Sequence, residues 1–149
     1  MSVTARRGSP PLVFLDTNVI FSGLYSPDGP PGAILRSMIE GKIVAVVSRQ
    51  VLDELVRTLK RKLPHSLPLL REFLLNSPLR VIRDPDFEDI TAWIDLVMEG
   101  DASILLAAIS AEPDFFVTGD SHFLDNQQLR KKSDLTICSP AELLSNLEQ

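Results

Sequence analysis

The chain is poor in residues that build covalent or zinc-bound scaffolds, with one cysteine and two histidines in 149 residues. The lone thiol, Cys138, excludes an internal disulfide framework and any CxxC metal site. His65 and His122 cannot furnish a His-rich zinc site, and they read as ordinary surface or part-buried residues. Long apolar runs are missing too. The longest, residues 43–47 and 104–109, fall far short of the roughly 20 residues a membrane helix needs, so no membrane partner is expected. The amino end has two arginines but no signal-length apolar stretch, because Leu12–Leu15 stops at Asp16, and a cytoplasmic protein is expected. Positive charge is also short: 15 Lys plus Arg stand against 20 Asp plus Glu, a net charge of −5. That sign excludes nucleic-acid binding by bulk charge alone and makes the placement of the acids the useful question.

What is present is ordinary globular material, 44% hydrophobic and 23% charged, which argues against general disorder. A chain of this length buries about 68–70% of its unfolded surface, enough for one real core. Residues 1–11 are polar, contain Gly8, Pro10 and Pro11, and read as a flexible tail. Residues 12–149 read as one domain, with no repeat and no change of composition inside it.

Four apolar runs have the length and β-branching of buried strands: Leu12–Leu15, residues 43–47, 115–118 and 135–138. Residues 79–82 read as a fifth short strand or an extended connector. Helical stripes fall between them. Pro31 is placed to begin one that carries Ile34, Leu35, Met38 and Ile39 and stops at Gly41. Ser48 suits the N-cap of a helix with Val51, Leu52, Leu55, Val56 and Leu59 inward, running to about Lys62. Leu69, Leu70, Phe73 and Leu74 mark another, and Ile90, Trp93, Ile94 and Val97 a further face closed by Gly100. A helix then opens at Asp101, and residues 140–147 close the chain. Alternation of this kind predicts an α/β fold with a mainly parallel central sheet, whose site lies beyond the carboxyl ends of the strands.

Two strand ends are alike. Phe14-Leu15-Asp16-Thr17-Asn18 and Val117-Thr118-Gly119-Asp120-Ser121 each place an aspartate just past the carboxyl end. Each of these could equally cap the turn that follows. Asp101, at a helix start, is also a favourable partner for the helix dipole. On the helix after Ser48, Asp53 and Glu54 lie about equally far outside the apolar stripe, and periodicity does not choose between them.

These segments together resemble the PIN domain family: Leu15-Asp16-Thr17-Asn18, residues 48–55, Gly100-Asp101 with its helix, and Thr118-Gly119-Asp120. The likeness runs from about Leu12 to Leu144, and is nearest to the VapC-like toxin components of toxin–antitoxin pairs. It implies a three-layer α/β/α fold and a metal-dependent endoribonuclease with acidic ligands at Asp16, Glu54, Asp101 and Asp120. It selects Glu54 over Asp53, since the family's glutamate is seventh counting from Ser48. It also implies polar support from Thr17, Asn18, Thr118 and Ser121, a cognate antitoxin, and a homodimer, for which the Leu69–Leu74 face is a candidate. Many relatives carry an acidic segment like Arg83-Asp84-Pro85-Asp86 near the third acid, so Asp86 and Asp89 compete with Asp101. Asp101 is preferred because it alone opens the helix that feeds the Asp120 strand.

Four such carboxylates repel, since two unit charges 4 Å apart cost about 4 kcal/mol at an effective dielectric of about 20. Oxygen-only ligands favour a hard ion, Mg²⁺ or Mn²⁺, which suits phosphodiester hydrolysis. Arg57, Lys60, Arg61 and Lys62 form one basic cluster able to hold an RNA backbone, and Arg130, Lys131 and Lys132 a second. The rival readings are a PIN-fold RNA-processing nuclease, a catalytically silent RNA- or protein-binding scaffold, and a phosphatase of the haloacid dehalogenase type. The last wants a second aspartate where this chain has Asn18.

Overall fold

The apolar runs do become strands, and all of them run the same way. A computed structural model describes residues 8–148. In it β1 (Leu12–Leu15), β2 (Val44–Ser48), β3 (Arg80–Ile82), β4 (Phe115–Val117) and β5 (Ile137–Cys138) form one parallel sheet, ordered β3-β2-β1-β4-β5. Parallel neighbours need crossovers, and helices supply them: α1 (Thr17–Tyr25), α2 (Pro30–Ile39), α3 (Arg49–Lys62), α4 (Leu67–Asn76), α5 (Phe87–Ile90), α6 (Glu99–Ala111), α7 (Ser121–Leu124) and α8 (Gln127–Ser133). The chain steps one way from β1 to β3, then returns across the sheet to β4 and β5. Right-handed crossovers therefore put α1–α4 on one face and α5–α8 on the other, the three-layer arrangement. A last helix, α9 (Pro140–Leu147), packs on α2.

The core centres on β1 and β4. Phe14 meets Phe116 edge-to-face at 5.5 Å, and Phe116 meets Phe123 at 5.2 Å, all three fully buried. This ladder carries order from the central strand to α7, a helix too short to stand on hydrogen bonds alone. Cys138 is buried on β5, where burial first and Glu142 second push its thiol up to about 12. The thiol is therefore kept protonated. No helix among the described residues is long and apolar enough to cross a membrane.

Three expectations change. Residues 1–7 of the tail lie outside the described residues, while Pro11 is buried and its carbonyl accepts the Val44 N–H at 2.9 Å. The stripe from Ile90 to Val97 is not one helix: α5 ends at Ile90, a 3-10 turn covers Thr91–Trp93, and Ile94 is exposed. Ile90 and Val97 are buried and Trp93 packs against the core, so most of the stripe faces inward without forming one continuous helix. Gly100 closes nothing, because α6 starts at Glu99 behind an extended Met98. Gly41 does end α2, with φ at +77°, a conformation glycine adopts without penalty.

Gly32 is held by space instead: a Cβ there would overlap the Pro27 backbone where the chain folds back on α2. Gly32→Ala is expected to lower stability by about 1–3 kcal/mol in urea unfolding, as overpacking does. Gly100→Ala, whose Cβ meets nothing nearer than the Gln50 amide at 3.7 Å, is expected to raise it by up to about 1 kcal/mol.

Candidate active site

The order in which strands are added to the sheet reverses between β1 and β4, which lie side by side and parallel with Leu15 opposite Val117. A crevice opens beyond such a reversal. Asp16 is the first residue past β1 and caps α1, its Oδ1 accepting the Thr17 N–H at 2.8 Å. Its Oδ2 accepts from Thr118 Oγ1 at 2.8 Å and Asn18 Nδ2 at 3.1 Å. Only 5% of Asp16 is exposed, and burial raises its pKa to about 6. The Thr118 and Thr17 hydrogen bonds work against that rise, while Glu54 and Asp101 add to it.

Thr118 is fully buried, and its hydroxyl also accepts the Asp120 N–H at 3.0 Å. Asn18 completes the clamp by accepting the Gly119 N–H at 2.8 Å, so the turns after β1 and β4 are tied to each other. Asp120 caps α7, its Oδ1 taking the His122 N–H at 2.9 Å.

Glu54 arrives on α3, whose start is set by the Ser48 cap on Val51. Its Oε2 accepts from Thr17 Oγ1 at 3.1 Å and its Oε1 from Gln50 Nε2 at 3.4 Å. The same Gln50 amide donates to the Gly100 carbonyl at 3.1 Å, joining α3 to the first turn of α6. Asp101 is the third residue of that helix. Burial, then Asp120 and Glu54, push its carboxyl upward, with His122 opposing.

Asp16, Glu54, Asp101 and Asp120 line one cleft of about 230 Å³ with Thr17, Asn18 and Lys62. Asp53 is exposed and does not line it, and Asp86 and Asp89 line a separate cleft beside Arg83 and Trp93. Ser121 is exposed outside the cleft, its carbonyl accepting the Asp125 N–H. Sequence reasoning missed His122: ligand atoms of Asp101, Asp120 and His122 lie within 4.8 Å of one another. Its position two residues after Asp120 was the available signal. It also missed Gln50 and Thr58, which a turn before and a turn after Glu54 share its helix face.

The basic residues divide. Lys62 lines the cleft, while Arg57, Lys60 and Arg61 are exposed and do not line it. Arg130 directs part of its guanidinium inward, donating to the Leu124 and Ile137 carbonyls at 2.9 and 2.8 Å, and still lines a surface cleft with Gln127, Gln128 and Lys131. Lys132 donates to the Ala92 carbonyl at 3.0 Å and lies 4.3 Å from the Trp93 ring centre. Of the second cluster only Lys131 stands exposed without an internal hydrogen bond among the described residues.

Comparisons with known proteins agree with this fold. An uncharacterized protein of Methanocaldococcus jannaschii is 29% identical, with 92% of each chain covered. VapBC2 from Rickettsia felis, solved bound to a DNA fragment from its promoter, shares the fold at a TM-score of 0.63 and 18% identity. That match covers 86% of this chain and 98% of the other. PAE2754 from Pyrobaculum aerophilum matches at 0.63 and 16% identity over 93% and 98%, and FitAcB from Neisseria gonorrhoeae at 0.58 and 20% over 86% and 97%. The PIN domain profile matches residues 12–122, most of the chain and all four acids of the cleft, and the chain belongs to the PIN domain family.

Proposed function

We propose that this protein is a metal-dependent endoribonuclease and the toxin component of a toxin–antitoxin pair. The observation that carries the reading is the meeting of four carboxylates, from four separate segments, in one cleft whose only basic lining residue among the described residues is Lys62. The toxin role is supported by the VapC-like motifs and by the fold shared with VapBC2 and FitAcB. A cognate antitoxin and a second copy of the chain are the proposed protein partners.

The residues fit a hard divalent cation, Mg²⁺ or Mn²⁺. Their donors are carboxylate oxygens with one imidazole at the rim, and the charge of Glu54 adds to burial in raising both Asp16 and Asp101. Asp16, Glu54, Asp101 and Asp120 would hold the ion, the ligand atoms of Asp101 and Asp120 lying within 4.8 Å of each other. When bound, such a cation supplies charge neutralisation at the phosphodiester and lowers the pKa of water. The chain's own contribution is orientation. Thr118 and Asn18 fix the Asp16 carboxylate, Thr17 and Gln50 fix Glu54, and the Lys62 ammonium is placed to meet a phosphate oxygen.

Asp16→Asn and Asp120→Asn are each expected to abolish Mg²⁺- or Mn²⁺-dependent cleavage of an RNA strand on a denaturing gel. Asp53→Asn and Asp86→Asn should cleave like the parent. Full cleavage by Asp16→Asn would overturn the reading.

The metal-free protein should also respond to pH. Asp16 holds its proton up to about pH 6 when folded, against 3.8 as its ordinary value, so the folded state binds more protons between those limits. Stability due to Asp16 is therefore full below about pH 4 and lost as pH rises through 6. At about 1.4 kcal/mol per pKa unit, Asp16→Asn should gain up to about 3 kcal/mol at pH 7.5 and nothing at pH 4, read by thermal unfolding in EDTA.

The expected dimer has a narrower basis than the sequence suggests. Leu70 is buried and Phe73 and Leu74 pack on the core, which leaves Leu69 and Leu75 exposed on α4, at 51% and 71%. Light scattering of the parent should give twice the chain mass, and Leu69→Glu with Leu75→Glu should return it to the single mass. A parent of single mass would remove the dimer.

A further inference from the structure

Helices α1 and α3 both begin at the carboxyl edge of the sheet and pack against each other. Residues four apart share a helix face, so Thr17, Phe21 and Tyr25 form one row and Glu54, Thr58 and Lys62 form the facing row. The rows are joined at the acidic end, where Thr17 donates to Glu54. Farther along, their chemistry changes. Phe21 lines the acidic cleft, and the Tyr25 ring lies nearly parallel to it, with 8° between planes and 6.0 Å between centroids. The Lys62 ammonium lines the same cleft and stands 5.7 Å from the Phe21 centroid. Tyr25 is 65% exposed, so most of its ring is turned to water rather than to the core. The helical rise puts it about 12 Å along α1 from Thr17.

Stacked rings with a cation beside them are what an unpaired nucleobase and its phosphate require. Every base offers a π-face, and a lysine supplies the point charge for the backbone. We propose that Phe21, Tyr25 and Lys62 form a subsite that stacks one unpaired base of an RNA strand and holds its neighbouring phosphate beside the acidic cleft. The subsite rests on the ribonuclease reading for its class of ligand. It reads no sequence. It discriminates against paired bases, whose faces are covered by their neighbours in a duplex.

The test is a fluorescence titration of the full chain with a short RNA strand containing 2-aminopurine, with Ca²⁺ in place of Mg²⁺ or Mn²⁺. Binding of the strand should quench the probe, and a blunt duplex of the same sequence should bind more weakly without added quenching. Tyr25→Ala should weaken strand binding about tenfold and remove the quench, and Tyr25→Phe should restore both. Lys62→Ala should lower the slope of log affinity against log salt by about one while keeping the quench. Equal binding of duplex and strand, or an unchanged quench in Tyr25→Ala, would overturn the subsite. So would a Tyr25→Ala variant that keeps its RNA affinity but changes mass in light scattering, since the face would then belong to a second copy. Loss of the subsite with cleavage still dependent on Asp16 leaves the nuclease reading standing. Strand binding that depends on Tyr25, without any cleavage, defeats the nuclease reading alone.

Discussion

A carboxylate that is 5% exposed at the end of a central strand has to be satisfied locally, and the arrangement around Asp16 follows from that requirement. Its three donors come from both sides of the reversal: the Thr17 N–H and the Asn18 amide from α1, and the Thr118 hydroxyl from the end of β4. Each donor has a second duty. Thr118 receives the Asp120 N–H, Asn18 receives the Gly119 N–H, and the Thr17 side chain holds Glu54. One buried acid thereby fixes the positions of two more.

Convergence of like charges is unfavourable in the metal-free protein, and the fold meets that cost with stiffness. Asp16 and Asp101 are both raised, first by burial and then by other carboxylates. Their backbones belong to strand ends and to the first two turns of helices anchored in the core, which limits how far the acids can move apart. The aromatic ladder from Phe14 through Phe116 to Phe123 does the same for α7, whose four residues would not otherwise hold Asp120 and His122 in place. Stability stored in the sheet is used to keep an electrostatically strained cleft open.

Much of this was legible in the sequence, for identifiable reasons. Buried parallel strands read as unbroken apolar runs, so β1, β2 and β4 were visible within a residue or so. The repeated strand-then-aspartate ending pointed to neighbouring strand ends, which Leu15 opposite Val117 realises. Helix α1 was not legible, because Thr17–Tyr25 is rich in β-branched and aromatic residues and lasts two and a half turns; Asp16 begins it as a cap. The α5 region failed differently: the stripe does face the core at Ile90, Trp93 and Val97, but a short helix and a 3-10 turn carry it instead of one helix. Glu54 could not be separated from Asp53 by periodicity, since the choice depends on where α1 lies, a tertiary fact. His122, Gln50 and Thr58 were hidden for the same reason. Their roles come from which helix face meets the cleft.

The inward bonds of Arg130 and Lys132 change what the molecule offers at close range. Both keep their charge, yet one guanidinium braces α7 against β5 and one ammonium rests on Trp93 and the Ala92 carbonyl. The flank behind Asp120 therefore offers fewer free donors than the run Arg130-Lys131-Lys132 implies, in a chain already at −5. Lys62 and the exposed Arg57, Lys60 and Arg61 lie on the opposite flank, along α3. Side-chain donors free to pair with an anion are therefore unevenly placed, more along α3 than behind Asp120, and an anionic partner that paired with them would sit off-centre to the cleft.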